Sequence, residues 1–101
     1  MSKITTRMKR HVRHVLKDEN PTIWVGKEGL TSQLAAEIEK QLQRTKMVKI
    51  KILPAALVGE VTAQAIGVNA AEQTNSALVE VRGHVFILFR KRKTEEESSQ
   101  P

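Results

Sequence analysis

The run Thr22-Ile23-Trp24-Val25, followed at once by Gly26-Lys27-Glu28-Gly29-Leu30-Thr31, decides the fold. Its first four residues are mostly β-branched or aromatic and predict a short buried strand. Two glycines three apart predict a sharp turn, because glycine adopts backbone angles closed to other residues. Beyond the turn, Leu30, Leu34, Ile38 and Leu42 recur at i, i+4. That spacing predicts a helix over 31–44, with Thr31 capping its first exposed amides. From Met47 to Leu53 the period changes to two. Val48, Ile50 and Ile52 fall on one side, Lys49 and Lys51 on the other, so a strand with one cationic face is expected, ended by Pro54. Strand, helix and strand in this order make a crossover, whose strands should be parallel and whose connection right-handed.

On the N-terminal side, Ile4, Met8, Val12, Val15 and Leu16 share an arc of roughly 120° at helical spacing. Lys3, Arg7, Lys9, Arg10, Arg13, Lys17 and His14 fall on the opposite arc. This is an amphipathic helix with a cationic outer face, closed by Asn20-Pro21. On the C-terminal side, alanine and glycine dilute any pattern over 55–68. Residues 61–74 favour helix by composition, and Gly67, which costs about 1 kcal/mol against alanine, predicts a kink or a break there. Asn75 suits a left-handed helix end. Ala77 to Val81 and Val85 to Phe89 read as strands joined through Arg82-Gly83-His84, a tight hairpin. The last strand is apolar throughout and suits burial on both faces. The expected fold is α/β: a single small domain over 1–93, in the order α-β-α-β-α-β-β, with a four-stranded mixed sheet covered by helices. Residues 94–101 (TEEESSQP) are expected to form a disordered acidic tail.

Charge points to the partner. The 101 residues hold 17 Lys and Arg against 11 Asp and Glu, a net charge of +6. Residues 1–17 carry six basic side chains and no acid, and Arg90-Lys91-Arg92-Lys93 adds four more. The stretch between is nearly neutral, with seven basic and eight acidic residues. Two all-basic blocks on one small domain point to a polyanion. The absence of cysteine excludes a disulfide scaffold, a thiolate-ligated zinc and a cysteine nucleophile. No apolar run approaches the roughly 20 residues that span a bilayer. The basic N-terminus imitates a mitochondrial presequence but reads as a mature helix, and the cytoplasm is the expected location.

The turn Gly26-Lys27-Glu28-Gly29 is the best candidate for chemistry. Amides of a turn and of a helix's first turn lack internal partners and carry partial positive charge, which suits a phosphate. It is no Walker loop, since the lysine follows the first glycine, and no dinucleotide fingerprint. The alternative is a turn that needs glycine only for its geometry.

Ile23-Trp24-Val25-Gly26-Lys27-Glu28-Gly29-Leu30-Thr31, Glu37-Ile38, Met47-Val48-Lys49-Ile50-Lys51-Ile52, Val79-Glu80-Val81-Arg82-Gly83 and Phe86-Ile87-Leu88-Phe89-Arg90 together resemble the CRM (chloroplast RNA splicing and ribosome maturation) domain. The resemblance runs from about Lys3 to Arg92 and is to a small stand-alone prokaryotic member, archaeal in character. It implies a fold similar to the C-terminal domain of bacterial translation initiation factor three, with a KH-like GxxG loop clamping the nucleotide backbone. It further implies an RNA-binding protein acting on ribosomal or pre-ribosomal RNA, or other structured RNA, in ribosome assembly or RNA processing; separately, a monomer is expected. Glu28, which sets a carboxylate beside the expected phosphate, departs from the family pattern. The RNA-binding residues expected are Gly26, Lys27, Glu28, Gly29 and Thr31 of the loop, Lys3, Arg7, Arg10, Arg13, His14 and Lys17 of the first helix, and Arg90 and Arg92.

Other candidates read as structure. His11 borders the apolar arc and is expected to pack, and His84 is a turn residue. No third ligand joins His11 and His14 toward a metal. Trp24 reads as core rather than as a ring that stacks a base. Glu37 and Glu39 read as a solvated helix face. No nucleophile, metal set or acid–base pair converges, so neither an enzyme nor a cofactor or small-molecule substrate is expected. A second reading makes the chain a protein-interaction module, its basic helix docked on an acidic partner. A third places that helix on a membrane surface, against which stands the lack of any Trp or Phe to anchor it.

Overall fold

A computed structural model describes residues 5–90. Lys3, Ile4, the basic residues 91–93 and the acidic tail lie outside the described residues. Three α-helices, α1 (Thr6–Leu16), α2 (Ser32–Thr45) and α3 (Ala63–Gln73), alternate with strands β1 (Ile23–Val25), β2 (Met47–Ile52), β3 (Ala77–Arg82) and β4 (Val85–Phe89). The strands form one mixed sheet in the order β1-β2-β4-β3. β1 and β2 are parallel, with Trp24 opposite Lys51, and the other pairings are antiparallel. Element order, sheet and strand directions are those expected from the sequence.

The two faces of the sheet are covered unequally. Ile23, Val25, Val48, Ile50, Ile52, Phe86 and Leu88 pack under Ile38 and Leu42 of α2 and Ile66, Ala70 and Ala71 of α3. On the other face, among the described residues, only Val12, Leu16, Val79 and Ile87 are buried together, with Met47 and Phe89 against them. At about 1.5–3 kcal/mol per fully buried aliphatic or Phe side chain, the α2/α3 layer dominates stability and α1 is the more lightly anchored layer. Part of its anchor is polar. The Lys49 ammonium donates to the carbonyls of Leu16 and Glu19, both at 2.9 Å, placing a cation on the negative end of the helix.

A register irregularity between Leu78 and Glu80 lets β3 serve both layers. Leu78 and Val81 pack on the α2/α3 side while Val79 packs on the α1 side. The extra residue is a β-bulge, which breaks strict alternation. The two-residue turn Gly83-His84 closes the hairpin, with Gly83 at φ 59° in the first central position, where such turns favour glycine.

Gly67 departs from expectation. Helix α3 runs unbroken through it. Gly67 is there because helix and sheet approach closely: a Cβ would stand 3.1 Å from Leu78 Cδ1 and 3.5 Å from Phe86 Cγ. Replacing Gly67 with leucine should overpack this contact and destabilise the fold by about 1–3 kcal/mol. Thermal denaturation checks this, an unchanged or raised Tm being the contrary result. The poorly patterned segment before α3 holds a single 3-10 turn, Pro54–Ala56, which drops Ala56 into the core.

Candidate nucleic-acid interface

Helix α1 places its basic residues where the sequence predicts. Thr5 caps it by accepting the Met8 amide at 3.1 Å, and Val12 and Leu16 turn its apolar side to the sheet. Val15, expected on that side, is 44 % exposed, because two adjacent residues cannot both face so narrow a contact. His11 is exposed rather than packed, and so are Arg7, Arg10, His14 and Lys17.

Between α1 and the sheet runs an open groove of about 460 Å³. Arg10, Arg13, His14 and Lys17 line one wall, and Lys49, Arg82, Glu80, Val85 and Ile87 line the other wall and the floor. Among the described residues its one acid, Glu80, lies 3.8 Å from the Arg13 guanidinium. Arg7, three residues before Arg10, continues the stripe along the exposed helix face. Lys49 and Arg82 were not among the expected binding residues. The alternation of β2, which sets Lys49 and Lys51 on the face opposite the core, is the signal that marks the first. For Arg82 it is the hairpin, which brings the end of β3 level with Val85 and Lys51.

The glycine turn lies at the same end of the sheet as that hairpin, beyond the end of β1. The Gly29 amide donates to the Gly26 carbonyl at 2.9 Å, and the Leu34 amide donates to Thr31 Oγ1 at 3.0 Å. Two amides expected to be open to a phosphate are therefore engaged within the fold, and Thr31 is the helix cap. Gly29 has φ 72° and needs to be glycine for the turn. Gly26 does not have positive φ, and a Cβ there would meet nothing within 4 Å. Geometry explains one glycine and leaves the other unexplained by the fold. Lys27 and Glu28 are both exposed at the tip.

Arg90 takes a different part from the one expected. Its guanidinium donates to both carboxylate oxygens of Glu39, one of the bonds at 2.7 Å, and to the Thr74 carbonyl. Its own amide donates to the Lys46 carbonyl at 2.8 Å. It thus fastens the ends of α2, α3 and β4 together, and its side chain is only 19 % exposed. The Arg90 hydrogen bond holds the Glu39 carboxyl below the ordinary carboxylate value, helped by a Gln43 hydrogen bond and the Arg90 charge and opposed by burial. Glu39 is therefore an ion-pair partner, not merely part of a solvated face. Lys3 and Arg92 lie outside the described residues.

Trp24 is the other departure. Ile23 and Val25 are 3 % and 0 % exposed, but Trp24 between them is 53 % exposed on the opposite face. A three-residue strand with two core positions has only the outer face left for the third.

A model of the CRS1/YhbY (CRM) domain matches residues 4–90. The chain belongs to the CRM domain family. Among relatives, a probable RNA-binding protein of Methanocaldococcus jannaschii is 36 % identical over 91 residues, 90 % of this chain and 66 % of that one. The chain thus spans just under two thirds of that relative's length. An RNA-binding protein of Haemophilus influenzae is 30 % identical over 90 residues, 89 % of this chain and 88 % of that one. The solution structure of a hypothetical Staphylococcus aureus protein superposes with a TM-score of 0.74 at 22 % identity, over 90 % of this CRM domain and 92 % of that chain. Among the described residues no group of three His, Asp or Glu is placed to hold a metal ion, and no helix is long and apolar enough to cross a membrane.

Proposed function

We propose that this CRM domain binds RNA without turning it over, ribosomal or other structured RNA being the client, with the phosphate backbone laid along the groove between α1 and the sheet. The observation that carries this reading is the groove itself: Arg10, Arg13, His14, Lys17, Lys49 and Arg82 converge on it with one acid, Glu80, beside Arg13. The names of the archaeal and bacterial relatives support the same ligand class. Most of the affinity comes from phosphates, and selectivity from the shape of the RNA more than from base edges. The glycine turn is a second contact, reached by the backbone at Gly26 and by Lys27. We place the protein in the cytoplasm, acting as a monomer in ribosome assembly or RNA processing.

Two measurements test this. With about four phosphates neutralised, affinity for single-stranded RNA should fall with salt at a log–log slope near −3. An affinity indifferent to salt over the range of about 50–200 mM contradicts the electrostatic reading. Replacing Lys27 and Glu28 together with aspartate should weaken binding while leaving Tm nearly unchanged, since exposed substitutions usually stay within about 0.5 kcal/mol. An unchanged affinity makes the turn purely structural and leaves the groove as the whole site.

A further inference from the structure

We propose that Trp24 is a stacking platform for an unpaired base, so that the RNA bound by this domain includes a single-stranded segment crossing the open half of the sheet. The inference rests on the RNA-binding reading and adds to it the kind of nucleotide and the place where its base lies.

Three observations carry it. The first is the ring's position. Trp24 is the largest side chain of β1 and is 53 % exposed, and α1 covers Val79 and Ile87 rather than β1. Turning the indole inward would require a one-residue slip, which would expose Ile23 and Val25 instead. The second is its neighbours. The pairing register runs Trp24, Lys51, Val85, Arg82 straight across the four strands, a row about 14 Å long at the usual strand spacing. These residues share one face, and Val85 and Arg82 also line the groove. The open half-sheet is thus a continuation of the cationic groove toward β1, with an aromatic ring at its far end. The third is the glycine turn, which starts two residues beyond Trp24, with Gly26 open to close backbone approach.

One ring with the Lys51 cation on the neighbouring strand fits a nucleotide better than a protein. A contiguous apolar patch, the usual mark of a protein partner, is not what surrounds the ring, whereas a nucleotide offers one flat π-face and one phosphate. The base must be unpaired, because in a duplex its faces are covered by stacked neighbours, and aromatic stacking is how single strands are held without sequence preference.

Trp24 is the chain's single tryptophan, so its emission reports on this site alone. The full chain is titrated with a short single-stranded oligoadenylate and with a blunt-ended RNA duplex. The single strand should quench Trp24 emission saturably. Trp24→Ala should weaken its binding about tenfold, inside the range measured for one stacked base, with the salt slope unchanged. Trp24→Phe should keep most of the affinity, and duplex binding should be indifferent to both variants. If the wild type binds the single strand with the expected salt slope but without quenching, or Trp24→Ala binds as tightly as wild type, the stacking inference is overturned and the groove reading stands. Equal quenching by the duplex overturns the assignment to an unpaired base. If the wild type binds neither RNA, both readings fall. Should Trp24→Ala lower Tm, the quenching and the Trp24→Phe affinity decide.

Discussion

Replacing Arg7, Arg10 and Arg13 together with glutamine is expected to cut RNA affinity by about 100-fold or more near physiological salt, and to flatten the log–log salt slope from about −3 to about −1. The slope change follows from three lost phosphate contacts at about 0.7 each. The affinity change follows from three charge-assisted hydrogen bonds, each worth about 1.5–3 kcal/mol in favourable cases and less where solvent screens it. Arg13 has a further effect. Without it, Glu80 stands in the groove with its 3.8 Å partner gone and repels the phosphate directly. The fold should survive, because the apolar anchor of α1 is Val12 and Leu16, and its C-terminal end is held by Lys49. Circular dichroism and thermal melting check the fold, and filter binding or anisotropy over a salt series checks the affinity. A triple variant that keeps its slope would move the site away from α1.

Replacing Arg90 with alanine should have the opposite profile, a large loss of stability with a native-like salt slope in whatever remains folded. The substitution removes a two-pronged ion pair to Glu39 and a hydrogen bond to the Thr74 carbonyl, and leaves both acceptors behind. Breaking a fully buried pair costs about 3–5 kcal/mol. Because the Glu39 side chain is 38 % exposed, solvent screening brings the expected cost to about 2 kcal/mol. For a domain of this size that corresponds to a Tm fall of about 10 °C. Arg90→Lys should rescue little of it, since an ammonium cannot reproduce the planar fork. The pH dependence has a definite sign. The Glu39 carboxyl is held below its ordinary 4.5 in the folded state. Its contribution is therefore complete above about pH 4.5 and is lost as pH falls through the lowered value. The Tm difference between wild type and Glu39→Gln should be constant above that pH and shrink below it. A difference that grows on acidification contradicts the assignment.

The two arginine experiments separate residues that look alike in the sequence. Arg90 opens a run of four basic residues, and only the structure shows it bound to Glu39, 51 positions earlier in the chain. Composition cannot see such a pair, because it is made by the third dimension. The same holds for Gly67, where local propensity predicts a break and tertiary packing demands the absence of a side chain. Period, by contrast, is a local property. The i, i+4 leucines and isoleucine of α2, the alternation of β2 and the closing hairpin were legible without coordinates, and with them the whole order of elements. The cationic face of α1 was legible for the same reason. Its opposite wall was not, because Lys49 of β2 and Glu80 and Arg82 of β3 come from two strands that are not neighbours in the sheet and meet only when it forms. Trp24 faces outward against the general tendency of tryptophan to be core, because a strand of three residues with two core positions overrides it.

RNA is expected to lie in the groove between α1 and the sheet. Ultraviolet crosslinking of the full chain to bound RNA, with mass-spectrometric mapping of the modified peptides, tests it most directly. Adducts should concentrate on α1 from Arg7 to Lys17, on β2 around Lys49 and Lys51, and on the hairpin around Arg82. Adducts confined to the outer faces of α2 and α3, on the other side of the sheet, would contradict it.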